Sequence, residues 1–305
     1  MASTAQSETA ALRKVLLRHP RAAFGDSERI AAQWRELNYR SAPDPARAVD
    51  EFERFAALLA DAGAEVLLAG EVIGEDGEAG SADDGARLTL DSIYVRDAAL
   101  ITDAGAILCA MGKAARAAEP DALRADLAAA GIDVVGAIGG AGRLEGGDVC
   151  WLAGNRLAVG RGYRTNDEGI RQLAELTRGI VEELVVVPLP HWRGPADVFH
   201  LMSILSPVAD DAVLVHAPLL PVPFREWLLE RGQHLIEVDP DEFDTMGCNV
   251  LALSPGRCVM LASNPRTRAR LEAAGIEVLE YTGEEISRKG EGGPTCLTRP
   301  LVREQ

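Results

Sequence analysis

Apolar and polar positions along this chain follow two periods that repeatedly exchange. Stretches rich in Ala, Leu and Arg with helical spacing end at a Gly and pass into a short β-branched segment, as in Asp61-Ala62-Gly63-Ala64-Glu65-Val66-Leu67 and Glu272-Ala273-Ala274-Gly275-Ile276-Glu277-Val278. The same junction recurs around Gly131, Gly179 and Gly232. A Gly just past a helix suits the left-handed position there, so each junction predicts a helix end followed by a strand. Between junctions, pairs of short apolar runs flank a tight polar turn: 94–101 with 106–109, 148–152 with 157–160, 203–207 with 212–216, and 250–253 with 258–262. Turn formers such as Asp103-Ala104-Gly105, Gly154-Asn155 and Pro255-Gly256 separate them. The order strand, turn, strand, helix, strand therefore occurs four times.

Five junctions in 305 residues set a period of roughly 60, that of a supersecondary unit repeated about an axis rather than a solenoid. One such unit leaves a sheet face bare, so the copies must pack together. The strand predicted at 15–18 has no helix before it, and that at 297–302 has no hairpin partner. Side by side they complete a fifth unit and close a ring. No Pro/Gly/Ser-rich linker divides the chain, and the polar stretch 74–86 reads as a long mobile loop. The expectation is one α/β domain over residues 1–305, with 1–12 a flexible N-terminus.

Composition narrows the classes. A hydrophobic fraction of 47% supports a sizeable core. No apolar run approaches the roughly 18 residues of a membrane helix, and the N-terminus lacks the basic flank and apolar stretch of a secretory signal. A formal net charge of −16 argues against nucleic-acid and anionic-membrane partners and suits a cationic small molecule. The five cysteines are scattered and odd in number, neither a disulfide framework nor a metal-binding spacing, so a cytoplasmic protein with reduced thiols is expected. There is no GxSxG, Walker A or HExxH segment, and the Gly139–Gly142 stretch lacks the third glycine and following helix of a dinucleotide loop.

Polar clusters stand at equivalent places, near the start of each hairpin: Arg96-Asp97, Glu145-Gly146-Gly147-Asp148, His200, Cys248-Asn249 and Cys296. Each alone has a plain alternative, such as a core histidine, a solvated turn or an ion pair at a strand end. Around an axis they would converge. Cys296 lies in the Gly-rich Gly290-Glu291-Gly292-Gly293-Pro294-Thr295-Cys296, where backbone N–H groups can approach a thiolate; the other four cysteines sit in apolar strands. A thiolate, a His and two carboxylates in one pocket suit a planar cation. Carboxylates clamp guanidinium, sulfur attacks its carbon, and the His protonates the departing amine and then activates water. No metal or other cofactor is needed.

Glu145-Gly146-Gly147-Asp148-Val149, Gly160-Arg161-Gly162-Tyr163-Arg164-Thr165-Asn166, Phe199-His200-Leu201 and Gly292-Gly293-Pro294-Thr295-Cys296-Leu297 together resemble the guanidino-group-modifying superfamily. That superfamily includes dimethylarginine dimethylaminohydrolase, arginine deiminase and the amidinotransferases. The resemblance implies a five-bladed α/β propeller (pentein) of ββαβ repeats with pseudo-fivefold symmetry. It also implies Cys296 as nucleophile, His200 as general acid/base, Glu145 orienting His200, and Asp97 binding guanidinium. Asp148, in the same turn, would join Asp97 as a supporting substrate-binding residue, and Arg164 would take the substrate's carboxylate end.

Met202 stands where arginine deiminases carry an Asp two residues after the His, which favours the dimethylarginine branch. Arg96 replaces that branch's Glu, and Ala110 or Met111 replaces the second tail-binding Arg. Ala32-Gln33-Trp34 lacks the Asn of arginine dihydrolases. Arg96, Lys113 and Arg40 are the candidates to hold the tail instead. The expected activity is hydrolysis of methylated arginine to citrulline and an amine. Arginine deiminase, amidinotransferase, hydrolase of another guanidino or ureido compound, and a non-catalytic binding propeller are the alternatives. A homodimer is left open.

Overall fold

A computed structural model describes residues 5–71, 88–197 and 199–304. The loop expected at 74–86 lies outside the described residues. Five three-stranded sheets carry the fold. In chain order they are Arg299–Glu304 with Ala11–Leu17 and Glu65–Leu68; Ala99–Thr102, Gly105–Leu108 and Val134–Ala137; Val149–Leu152, Arg156–Arg161 and Glu183–Pro188; Leu205–Ala209, Ala212–Val215 and His234–Glu237; and Leu251–Ser254, Arg257–Leu261 and Glu277–Tyr281. In every sheet the central strand pairs antiparallel on one side and parallel on the other. The parallel step is made through a helix: Pro45–Asp61, Glu119–Ala129, Asp167–Leu176, Val222–Glu230 or Pro265–Ala273. The two terminal strands do pair, Ala11 opposite Glu304 and Leu16 opposite Arg299.

Local chemistry explains the breaks. Gly63, Gly131, Gly179, Gly232 and Gly275 all have positive φ, between 75° and 99°, where a Cβ would be strained. Asp44 and Asn166 cap their helices by accepting backbone N–H groups of Arg47 and Gly169. Alternating strand residues feed different apolar clusters. Val15 and Leu17 join a cluster with Leu251 and Val259 of the fifth sheet, whereas Leu16 joins one with Ala99 and Ile101 of the second. Leu100 meets Trp151 of the third sheet, Cys150 meets Val213 of the fourth, and Leu214 meets Met260 of the fifth.

Two expectations are corrected. Residues 94–98 are not strand: Leu90–Ile93 and Val95–Ala98 are 3-10 turns, and the strand begins at Ala99. Nor are residues 5–12 loose. Ala5, Glu8, Thr9 and Ala10 are buried, and Ala11 and Leu12 already belong to a strand.

Candidate active site

Short turns immediately before the first strand of successive sheets carry the polar residues. Asp97 lies in Val95–Ala98, Glu145 caps Gly146–Asp148, His200 caps Leu201–Ser203, and Cys296 precedes Arg299–Glu304. Ligating atoms of Asp97, Glu145 and His200 fall within 4.8 Å of one another. His200 Nε2 is 2.7 Å from Glu145 Oε2. The other Glu145 oxygen accepts the N–H groups of Gly112 at 2.8 Å and Lys113 at 3.0 Å, and Arg164 Nη1 stands 3.3 Å from Oε2. Asp97 accepts Gly147 N–H at 2.9 Å and Arg116 Nη1 at 2.5 Å. Cys296 Sγ accepts from Asn249 Nδ2 at 3.3 Å, and the Thr295 backbone N–H and hydroxyl both donate to Asn249 Oδ1, at 3.1 and 2.8 Å, which fixes the amide's direction.

The electrostatics follow from burial. Burial alone would lower the His200 imidazole, but Asp97, Asp148 and Glu145 raise it to about 9. Burial opposes ionisation of Glu145, yet the His200 bond and charge, with Arg164 and Arg116, hold it well below the usual carboxylate range. Asp148, wholly buried, is pushed up to about 6. Burial and then Asp97 raise the Cys296 thiol, while Asn249, Thr295 and Gly293 pull it back. Cys296 is the one partly exposed thiol; Cys109, Cys150, Cys248 and Cys258 are buried.

Two cavities meet here, both lined by Cys296, His200 and Glu291. One is charged, with Asp91, Asp97, Lys113, Arg116 and Arg164 in its wall. The other has an aromatic and thioether side, Trp192, Phe199, Met202, Phe243 and Met246, beside the charged Arg40, Arg193, Asp197 and Asp244. Of the residues expected at the site, Cys296, His200, Asp97 and Arg164 line a cavity and Glu145 bonds to His200. Two do not arrive. Arg96 is 1% exposed and turns away to ion-pair with Glu8, because consecutive side chains of a 3-10 turn point about 120° apart. Asp148 reaches neither cavity; it accepts Thr165 Oγ1 at 2.7 Å and Leu201 N–H at 3.0 Å, pinning the backbone beside His200. Among the tail candidates, Lys113 lines the charged cavity and Arg40 the rim of the other.

Sequence reasoning missed Asp91, Arg116 and Glu119. Lys113 Nζ donates to Asp91 at 2.6 Å. Arg116 makes a two-pronged pair with Glu119, at 2.9 and 2.7 Å, besides its bond to Asp97. The spacing of three between Arg116 and Glu119 was the available signal; Asp91 in the apolar run Leu90–Ile93 was another.

Similarity to known proteins gives the family and the fold. Residues 90–228 and 216–303 match the family model for arginine deiminase. The arginine deiminase of Rhodococcus erythropolis is 31% identical over 193 residues, 53% of this chain and 46% of its own length. The chain thus spans about half the length of the curated relatives it matches. Among solved structures, a dimethylarginine dimethylaminohydrolase from Pseudomonas aeruginosa complexed with citrulline superposes with TM-score 0.71 at 21% identity, covering 96% of this chain and 100% of that one. An amidinotransferase of saxitoxin biosynthesis from Microseira wollei gives 0.73 at 17%, covering 99% and 98%. At these identities the two structures speak for the fold.

Proposed function

This chain belongs to the arginine deiminase family, and on that premise we propose that it is a hydrolase of a guanidino compound with Cys296 as nucleophile. The observation that carries the reading is the convergence, from separate units of the fold, of Cys296, the His200–Glu145 pair and Asp97 around one cavity. A guanidinium there has carboxylates for its N–H groups. The arriving cation favours loss of the Cys296 proton to solvent, and the thiolate attacks the central carbon and forms a C–S bond. Collapse of that adduct breaks one C–N bond, and His200, protonated at neutral pH, gives its proton to the leaving amine. Neutral His200 then takes a proton from water, the hydroxide attacks the same carbon, and the C–S bond breaks to release the ureido product and the thiolate. Glu145 stabilises the imidazolium before the first proton transfer and again after the second. Arg164 and Lys113 are the cations placed to receive an anionic tail.

A methylated arginine is the leading substrate, because the side chain two residues after His200 is the buried thioether of Met202, not a carboxylate competing for unsubstituted nitrogen. Unsubstituted arginine is the second reading, favoured by the relatives that carry the name arginine deiminase. Five free thiols fit a reducing cytoplasm.

Metal has no part in this scheme. Asp97, Glu145 and His200 are spaced for a cation, and in this scheme that cation is the substrate's guanidinium. Activity is expected to survive EDTA; a loss that zinc restores would overturn the scheme. The main test is a colorimetric assay for ureido product with dimethylarginine, arginine and agmatine. Cys296→Ser should abolish turnover with the fold intact. A preference for agmatine, which has no carboxylate, would remove the amino-acid substrate and leave the thiolate chemistry.

A further inference from the structure

The second cavity has no task in hydrolysing arginine itself. It shares Cys296 and His200 with the charged cavity, so a ligand whose tail lies at Arg164 and Lys113 and whose central carbon lies at Sγ has the second cavity open to one of its nitrogens. Its aromatic and thioether groups are poor partners for a bare –NH2. Met202 is 3% exposed and cannot accept an N–H bond strongly. Phe243 is held flat by His216, ring centroids 3.7 Å apart, and Trp192 meets it edge-on at 6.1 Å. Phe199 and Met246 complete an apolar lining.

Four of the charged side chains lining this cavity are paired with each other. Arg40 pairs with Glu291 at 2.7 Å and donates to the Asp244 carbonyl at 3.1 Å. Arg193 pairs with the Asp244 carboxylate at 2.7 Å and lies over the Trp192 ring. Beside Asp197, Ser203, Asn249 and Thr295, the wall offers a contiguous share of aromatic and thioether side chains, which bind hydrocarbon and repay its desolvation.

We propose that the Trp192–Phe243–Met202 cavity is the leaving-amine pocket for guanidines bearing an apolar N-substituent larger than methyl. The proposal rests on the hydrolase reading above and deepens it. The bonds formed and broken are those of that scheme: C–S forms, C–N to the substituted nitrogen breaks, His200 protonates the departing alkylamine, and water displaces sulfur. The substituent adds contact area next to the breaking bond, so its benefit is expected in kcat/KM.

The test is a series of Nω-substituted L-arginines (unsubstituted, methyl, dimethyl, butyl and benzyl) assayed for citrulline. The expected result is a rise along the series, with butyl or benzyl at least tenfold above methyl. Trp192→Ala, at a 39% exposed position, and Phe243→Ala should each cut the benzyl-to-methyl ratio at least threefold, and Met202→Asp should shift preference toward unsubstituted arginine. If Phe243→Ala does not fold, Trp192→Ala carries the comparison. A series that is flat or falls beyond methyl overturns the pocket and leaves the hydrolase. No citrulline from any member, with Cys296 unlabelled by a haloamidine, overturns both.

Discussion

At the scale of single residues, the site balances buried charge against buried charge. Arg116 illustrates the cost of breaking the balance. Its guanidinium satisfies Asp97, Glu119 and the Tyr94 carbonyl. Arg116→Ala would strand two buried carboxylates, and a loss of about 3–5 kcal/mol is expected in chemical denaturation. His200 gives a pH signature. Its pKa is raised from the ordinary 6.5 to about 9, so its stabilisation is complete below 6.5 and is lost as pH climbs through 9. Unfolding free energy should fall across that window in the native protein, and the fall should shrink in His200→Gln; equal slopes would refute the shift. Cys296 behaves oppositely in reactivity. Burial and Asp97 keep its thiol protonated, and an arriving cation offsets Asp97. Chloroacetamidine should therefore label Cys296 faster than neutral chloroacetamide, by roughly tenfold or more if about 1.4 kcal/mol is recovered; equal rates would defeat this account. Cys296, His200, Glu145 and Asp97 were legible because each occupied a matching place in a repeat. Arg96 was misplaced because adjacency in sequence to Asp97 says nothing about which way a side chain turns.

At the scale of elements, the short turns before the strands aim the chemistry, and their glycines set how closely the turns approach. A Cβ on Gly147 would lie 2.5 Å from His200 Nδ1 and 2.8 Å from Asp97 Oδ1, contacts that no real side chain tolerates. Gly146 has as little room, against the Arg96 carbonyl. Gly147→Ala is therefore expected to push His200 and Asp97 apart and reduce kcat/KM by about a hundredfold or more, since small misplacements at a reacting centre have costs of that order. Retention of activity within a few-fold would show that the turn has slack. The helix-to-strand junctions were readable because positive φ at five glycines leaves a sequence mark. The 3-10 turns were not. Ile93, Tyr94 and Val95 are buried, and a buried turn carries the same apolar run as a buried strand.

At the scale of the molecule, the apolar clusters say how the units depend on one another. Each cluster joins two sheets, first with second, second with third, third with fourth, fourth with fifth, and fifth with first. That cyclic order supports our reading of the five sheets as a closed five-bladed propeller, and it makes a thermodynamic prediction. In an open array, damage to one interface could melt one end alone. In a ring, every sheet has two neighbours, and the site draws residues from turns of several sheets. Leu214 is fully buried in the cluster between the fourth and fifth sheets and is absent from both cavity walls. Leu214→Ala should remove about 2–5 kcal/mol, and calorimetry should still show one transition with calorimetric and van't Hoff enthalpies equal. Loss of the proposed guanidino-hydrolase activity on heating should coincide with that transition. Two resolved transitions, or activity outliving the first melt, would mean that the units are not coupled around a ring, and the propeller reading would have to be replaced by separately folding halves.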